Sequence, residues 1–159
     1  MSLKNWLKLI ACLVVCQAAG FIGSLFTRPA IPAWYAGLEK PSFNPPNAVF
    51  SPVWIGLFAL MGVSLYLLWS KAPKDRKVNI ALRWFAVQLA LNVLWSALFF
   101  GLKAPFFAFI EIVVLWAAIF MTIVKSAQVS KWAAFLLVPY ILWVSFAAVL
   151  NFFLWNLNR

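Results

Sequence analysis

Five long runs of apolar residues dominate the chain and restrict what it can fold into. They cover residues 6–27, 49–70, 80–102, 104–125 and 132–155. Each run reaches the ~20 residues that a helix needs to cross a bilayer. A closed β-barrel also spans membranes, but the ten-residue alternation of apolar and polar residues typical of barrel strands does not occur. The sequence therefore predicts an all-α membrane protein, a bundle of five transmembrane helices.

The composition supports a single membrane domain. Of the 159 residues, 66% are hydrophobic and 10% are charged, whereas soluble domains are about half apolar and about a quarter charged. The five runs leave no room for a soluble domain. We expect one domain over residues 1–159, multi-pass in the membrane, with one long ordered loop at about residues 28–48.

The basic residues are distributed unevenly between the two ends of the predicted bundle. An excess of lysine and arginine usually marks the cytoplasmic side of a membrane protein. We therefore expect the N-terminus inside and the C-terminus outside, in a bacterial cell membrane. Because these residues flank apolar runs and form no aromatic-interleaved patch, lipid is the expected partner and nucleic acid is not. Nine lie on the N-terminal side: Lys4, Lys8, Lys71, Lys74, Arg76, Lys77, Arg83, Lys125 and Lys131. Four lie on the loop side: Arg28, Lys40, Lys103 and Arg159.

The chain lacks most of the side chains that catalysis and metal binding require. It has no histidine, and its three acids are Glu39, Asp75 and Glu111. Triad hydrolysis, histidine metal sites and axial haem histidines are therefore excluded. Cys12 and Cys16 are four residues apart, about 5–6 Å between Cβ atoms on a helix, beyond the about 3.5–4.5 Å of a disulfide. We expect packing cysteines, no metal, no cofactor and no acid–base enzyme.

Ten tryptophans are the strongest compositional anomaly. Tryptophans near run ends fit an aromatic belt at the lipid headgroups; these are Trp6, Trp69, Trp84, Trp132 and Trp155. A second group lies within the runs, where a buried indole needs a partner for its N–H; these are Trp54, Trp95, Trp116 and Trp143. The second group indicates an aromatic feature inside the bundle.

Helical spacing places several of these residues on shared faces. Polar side chains in a membrane helix face the bundle or a cavity, and the helix directions bring these faces to the loop half, near Gly20 and Gly23. An aromatic cavity is predicted there; amides that only join helices remain the alternative. The faces are Gln88, Asn92 and Ser96 on helix three, Tyr140, Trp143, Ala147 and Asn151 on helix five, and Trp54 and Phe58 on helix two.

The first loop contains the segment "WYAGLEKPSFNPP", which begins at Trp34. Loops longer than about 12–15 residues in a compact domain are usually functional or disordered. Trp34, Tyr35 and Phe43, together with four prolines, favour order, because prolines lower the entropy lost on ordering. The prolines are Pro32, Pro41, Pro45 and Pro46. A lid over the cavity is predicted, and a loop that only caps helix ends is the alternative.

Three further features concern the membrane helices. Glu111 lies inside the fourth run, where an acid is a functional candidate whose role stays open. Pro139 predicts a kink in helix five and a free backbone carbonyl. Pairs of small residues four apart permit close helix contact, within the chain or in a homodimer. These pairs are Ala19/Gly23, Ala86/Ala90 and Ala97/Gly101.

Three segments in order resemble one family across nearly the whole chain. They are "WYAGLEKPSFNPPNAVFSPVW", "QLALNVLWSALFFG" and "LVPYILWVSFAAVLNFFLW". They resemble the translocator protein family, also called tryptophan-rich sensory proteins or peripheral-type benzodiazepine receptors. The resemblance implies a five-helix bundle, often a homodimer, that binds porphyrins and other flat hydrophobic ligands in a pocket closed by the first loop.

The resemblance also implies which residues form the pocket. The family's pocket positions fall on Tyr35, Pro45, Phe50, Trp54, Phe58, Asn92, Trp95, Trp143 and Ala147. We add Trp34 of the lid to this predicted ligand-binding set. Trp54 and Trp143 correspond to tryptophans implicated in porphyrin breakdown, and they would be catalytic if that reaction occurs here.

The predicted function is that of a membrane receptor or sensor for tetrapyrroles. The alternatives are a light-dependent porphyrin-degrading enzyme and a transporter of hydrophobic small molecules. Phe43 and Phe58 stand where many relatives carry Trp and Tyr, which removes polar groups from the pocket. Phe152 and Phe153 replace the tyrosine of the mammalian cholesterol motif, so sterol transport is not predicted.

Overall fold

The structure is a computed structural model that describes residues 2–71 and 76–159. Positions 72–75 of the predicted connection between helices two and three, among them Lys74 and Asp75, lie outside the described residues. The helices are α1 (Leu3–Ala30), α2 (Asn47–Ser70), α3 (Arg76–Ser96), α4 (Pro105–Ala127), α5 (Lys131–Phe135) and α6 (Val138–Leu157).

Within the part of the chain that the structure describes, five helical segments are long and apolar enough to cross a membrane. They are α1, α2, α3 together with a π-helical turn at Ala97–Gly101, α4, and the pair α5 and α6. Within residues 2–71 and 76–159 the chain contains no strand. The prediction of an all-α, five-helix membrane protein is confirmed.

The first helix is longer than predicted. Arg28 and Pro29 belong to α1, so the first loop covers residues 31–46 instead of beginning at residue 28. Pro29 cannot donate a backbone hydrogen bond, but the N–H of Ile31 still donates to the carbonyl of Thr27 at 3.1 Å and closes the last turn. As a result, Arg28 has a fixed place on a helix face.

The fifth span is interrupted where a kink was predicted. The helix breaks between α5 and α6, and Pro139 lies in the first turn of α6, where its missing N–H costs no helical bond. Leu137 N–H donates to Ala134 instead of Ala133. The freed carbonyl of Ala133 accepts a hydrogen bond from the hydroxyl of Ser64 on α2 at 2.8 Å.

The helix arrangement leaves a space at the loop end of the bundle. α1 packs on α2 and α3, α4 packs on α3 and α6, and α5 closes on α2 at the opposite end. α1 and α2 approach each other closely at Gly62, where an added Cβ would lie 2.8 Å from the backbone Cα of Leu13. Side chains of α1, α2, α3 and α6 surround the space at the loop end.

The small residues are used mainly within the chain. A Cβ at Gly23 would lie 3.0 Å from the Ser96 hydroxyl oxygen, and one at Gly101 would lie 3.0 Å from a phenyl ring of α1. Ala86 and Ala90 are instead exposed on α3.

Candidate functional site

A cavity of about 360 Å³ lies in the loop half of the bundle. Ligand pockets usually measure about 300–1,000 Å³ and combine apolar walls with a few polar groups. Residues from four helices and from the first loop line this one. Its size and position make it the candidate functional site.

Most of the predicted ligand-binding residues line this cavity. Eight of them do so: Tyr35, Phe50, Trp54, Phe58, Asn92, Trp95, Trp143 and Ala147. Trp34 and Pro45 are not among the lining residues. The Trp34 ring packs edge-on against Phe99, with 5.5 Å between ring centroids, and the Pro45 carbonyl accepts a hydrogen bond from the Asn44 side chain. These two residues therefore support the loop, and the ligand-binding role of the set stays a prediction.

Aromatic rings form the walls of the cavity. The rings of Trp54 and Phe58 lie 5.6 Å apart on α2. On α3, Trp95 stacks on Phe99 at 5.2 Å with 23° between the ring planes. The π-helical turn that contains Phe99 closes with a bond from Leu102 N–H to the Ala97 carbonyl. Rings from α2, from α3 and from the π-helical turn therefore line this space.

The indole of Trp143 differs from that of Trp95 in its hydrogen bonding. The Trp95 N–H donates to the side-chain oxygen of Asn151 at 3.0 Å. The Trp143 Nε1 is buried and has no hydrogen-bond partner among the described residues. A buried donor without a partner is costly. Trp143 lines the cavity, while its indole nitrogen is buried within the wall.

Both amides of the cavity also join helices. The Asn92 amide donates to the Tyr140 hydroxyl at 2.9 Å, and the Asn151 amide donates to the Pro105 carbonyl at 2.8 Å. Both asparagines line the cavity. The two interpretations drawn from the sequence, a cavity lining and a link between helices, therefore apply to the same residues.

Tyr35 brings the first loop into the cavity. Its side chain is buried, lines the cavity and donates a hydrogen bond to the Asn44 side-chain oxygen at 2.9 Å. Burial raises the pKa of the Tyr35 hydroxyl above its usual value, and the hydrogen bond with Asn44 opposes this. The ammonium of Lys40 lies 4.9 Å above the ring. At physiological pH the phenol therefore stays neutral.

The rest of the loop is fastened to α6. The backbone N–H and carbonyl of Glu39 both pair with the side-chain amide of Asn158, each at 2.9 Å. Phe43 packs edge-on against Phe146 and Phe153, with ring centroids 6.3 and 5.4 Å away. The loop is therefore ordered. It caps the end of α6 and also contributes Tyr35 to the cavity.

One face of α1 is the main part of the lining that the sequence did not predict. It repeats at intervals of three and four residues, as one face of a helix does. Polar residues among apolar ones at this spacing were the available signal. The members of this face are Gln17, Gly20, Phe21, Gly23, Ser24, Thr27, Arg28 and, just beyond α1, Ile31. Of these, Gly20 and Gly23 were placed near the cavity from the sequence.

Two contacts fix this face of α1 against α2. The side-chain amide of Gln17 donates to the Ile55 carbonyl at 3.0 Å. At Gly20, an added Cβ would lie 2.5 Å from the Phe58 ring. The absence of a side chain at Gly20 therefore makes room for Phe58 at the cavity wall.

Two residues of interest on α4 lie away from the cavity. Glu111 is buried, and neither of its carboxyl oxygens has a hydrogen-bond partner in the described part of the chain. Trp116 is 38% exposed and donates to the Ser145 hydroxyl oxygen at 2.8 Å. Neither residue lines the cavity. The predicted interior role of Trp116 is wrong, because its side chain lies on the outer surface of the bundle.

Sequence comparison matches this architecture with a known family. The profile of the TspO/MBR family matches residues 12–156. The chain belongs to the TspO/MBR family. The resemblance seen in the three segments is thereby confirmed, and the five-helix bundle is that of a membrane receptor and sensor family.

Individual members of the TspO/MBR family align along almost the full chain. The tryptophan-rich protein TspO of Chlorobaculum tepidum is 46% identical over 98% of both chains. The translocator protein of Ovis aries is 35% identical over 97% of this chain and 92% of its own. The tryptophan-rich sensory protein of Cereibacter sphaeroides is 34% identical over 97% of this chain and 93% of its own.

Proposed function

We propose that this TspO/MBR chain is a membrane receptor that binds porphyrins and related flat hydrophobic ligands in the loop-end cavity. The ligand plane lies between the aromatic walls of α2, α3 and α6, and the first loop covers it. Ring stacking and burial of apolar surface supply the affinity. With no histidine in the chain, binding depends on shape, so metal-free porphyrin should bind about as well as haem.

The observation that carries this proposal is the aromatic lining of the loop-end cavity, to which Trp54, Trp95 and Trp143 all contribute. Phe50 packs edge-on against the Trp143 ring, with 6.0 Å between ring centroids. A flat apolar ligand that enters this space gains contacts with several rings and buries its own apolar surface.

A second candidate is light-dependent porphyrin degradation. Trp54 and Trp143 line the same cavity, so both indoles would meet the bound macrocycle. In this mechanism the ligand absorbs light, molecular oxygen is the oxidant and the indoles are redox-active. The transporter alternative lacks comparable support, because Glu111, the acid within the membrane helices, does not line the cavity.

The experiment is a titration of the purified, detergent-solubilised protein with protoporphyrin in the dark. Tryptophan fluorescence and the porphyrin Soret band report binding. Wild type should saturate. Trp143→Phe should bind roughly 2- to 12-fold more weakly, because the smaller ring offers less stacking surface and one aromatic contact is worth about 0.5–1.5 kcal/mol. A variant with Trp34→Ala and Tyr35→Ala should also bind more weakly, because the loop is loosened.

Trp116→Phe is the matched control, because this tryptophan lies on the outer surface. Its affinity should equal that of wild type. Absence of saturable binding by wild type, or equal affinity of all variants, would refute the cavity as the binding site. Illumination in air then separates the two functions: loss of the Soret band that Trp143→Phe abolishes supports the enzyme, and stable absorbance supports the receptor.

A further inference from the structure

Arg28 is the one charged side chain among the described residues that line the cavity. It lies in the last turn of α1 and is exposed. Its guanidinium forms no hydrogen bond or ion pair with another described residue. The carboxyl groups of Glu39 and Glu111 do not line the cavity. A chamber whose other described lining residues are all uncharged therefore carries one positive charge with no acidic partner among them.

The position of Arg28 places this charge at the mouth of the cavity. Gln17 lines the same face of α1, and eleven residues of helix separate the two positions by about 16 Å at about 1.5 Å per residue. Asn47 and Ser51, in the first two turns of α2, also line the cavity and add polar groups from the opposing helix. The deep part is thus aromatic, and the loop end is polar and cationic.

We propose that Arg28 selects ligands that carry a carboxylate at the edge of a flat apolar body. This inference rests on the proposed function and adds the chemical class of the ligand. The planar guanidinium donates two parallel hydrogen bonds to a carboxylate, a geometry that a lysine ammonium cannot reproduce. The carboxylate remains at the mouth, near water, while the apolar plane enters between the rings.

The two ends of the cavity together orient the ligand. The acidic edge pairs with Arg28, and the opposite, apolar edge lies among the aromatic rings of the cavity. A neutral molecule of the same shape keeps the stacking and loses the pairing. Arg28 is therefore a specificity-determining residue, and its removal should affect acidic ligands and spare uncharged ones.

The test compares protoporphyrin, which has two carboxylates, with its dimethyl ester, which has none, in a neutral detergent. Wild type, Arg28→Gln and Arg28→Lys are titrated with both in the dark. Arg28→Gln should weaken protoporphyrin binding about tenfold, as expected for a charge-assisted bidentate pair. Ester binding should stay within about twofold of wild type, and Arg28→Lys should restore part of the loss.

Lys103→Gln is the matched control. This substitution removes a positive charge at the same end of the bundle, but Lys103 does not line the cavity. It should leave the affinity for both porphyrins unchanged. Added salt should weaken protoporphyrin binding to wild type and have little effect on Arg28→Gln. Circular dichroism confirms that each variant is folded.

The outcomes separate this inference from the proposed function. If Arg28→Gln binds protoporphyrin as tightly as wild type, or if acid and ester weaken equally, the inference is overturned and the receptor proposal stands. If wild type binds the ester, and Arg28→Gln loses affinity for protoporphyrin but not for the ester, both the inference and the proposed function stand. If wild type binds neither porphyrin, the proposed function fails and the inference falls with it.

Discussion

The side-chain amide of Asn92 donates a hydrogen bond to the hydroxyl of Tyr140 across 2.9 Å, joining α3 to α6 directly beneath the cavity. Asn92 lines the cavity, whereas Tyr140 is completely buried. The ring of Trp54 packs edge-on against Tyr140 with 6.3 Å between centroids. This hydrogen-bonded pair thus holds α3 and α6 together next to Trp54, which lines the cavity.

Tyr140→Phe should destabilise the protein by about 1–3 kcal/mol, because the Asn92 amide loses its acceptor in a buried site. The free energy of unfolding, measured by denaturant titration in mixed micelles, tests this. A double variant with Asn92→Leu and Tyr140→Phe replaces both partners by apolar groups and should recover much of the loss. Strictly additive losses in the double variant would show that the two residues do not act as a pair.

Asn158→Ala should release the first loop from α6. The substitution removes the two hydrogen bonds to the backbone of Glu39 and a third to the Leu154 carbonyl. Hydrogen exchange of peptides from residues 31–46 should become faster, while exchange in the helices stays unchanged. Asn156→Ala, two residues earlier on the same helix, is the control and should behave like wild type. Equal exchange in both variants would mean that the aromatic contacts alone hold the loop.

Glu111→Leu should stabilise the protein, because an apolar side chain replaces two buried oxygens that have no hydrogen-bond partner among the described residues. The expected gain is about 1–3 kcal/mol in unfolding free energy. Porphyrin affinity should not change, since Glu111 does not line the cavity. Glu39→Ala is the control, because Glu39 holds Asn158 through its backbone alone. A loss of stability in Glu111→Leu would contradict this and indicate a functional partner of the carboxyl group.

Gly62→Ala should separate α1 from α2, because the new Cβ would lie 2.8 Å from the backbone of Leu13. Overpacking of this kind typically costs about 1–3 kcal/mol, and thermal unfolding measures it. Gly56→Ala is the matched control on the same helix, where an added Cβ meets nothing within 4 Å. It should be neutral or stabilising, since alanine favours helix over glycine. Equal effects at both glycines would contradict a tight contact at Gly62.

Local properties of the chain determined the five membrane spans and much of the cavity lining. Apolar length predicts a membrane helix because the bilayer leaves backbone groups no other partner. On α3 and α6, polar and aromatic residues recur at helical spacing, so Asn92 and Trp143 were placed on inward faces from the spacing, and the family resemblance added Trp95. Trp116 shows the limit of such sequence reasoning. It also lies within a span, but no polar stripe on its helix indicated which way its side chain points.

Only the tertiary structure decided which face of α1 lines the cavity. Apolar residues occur on all sides of α1: Val14 and Phe21 are exposed, whereas Cys12 and Cys16 are buried. Gln17, Ser24 and Thr27 recur at helical spacing on the inward face, but apolar residues alternate with them there, so the packing of α1 on α2 and α3 makes the choice. The same packing brings Arg28 to the mouth and leaves the Trp143 donor unpaired, because a hydrogen-bond partner depends on neighbours that are distant in sequence.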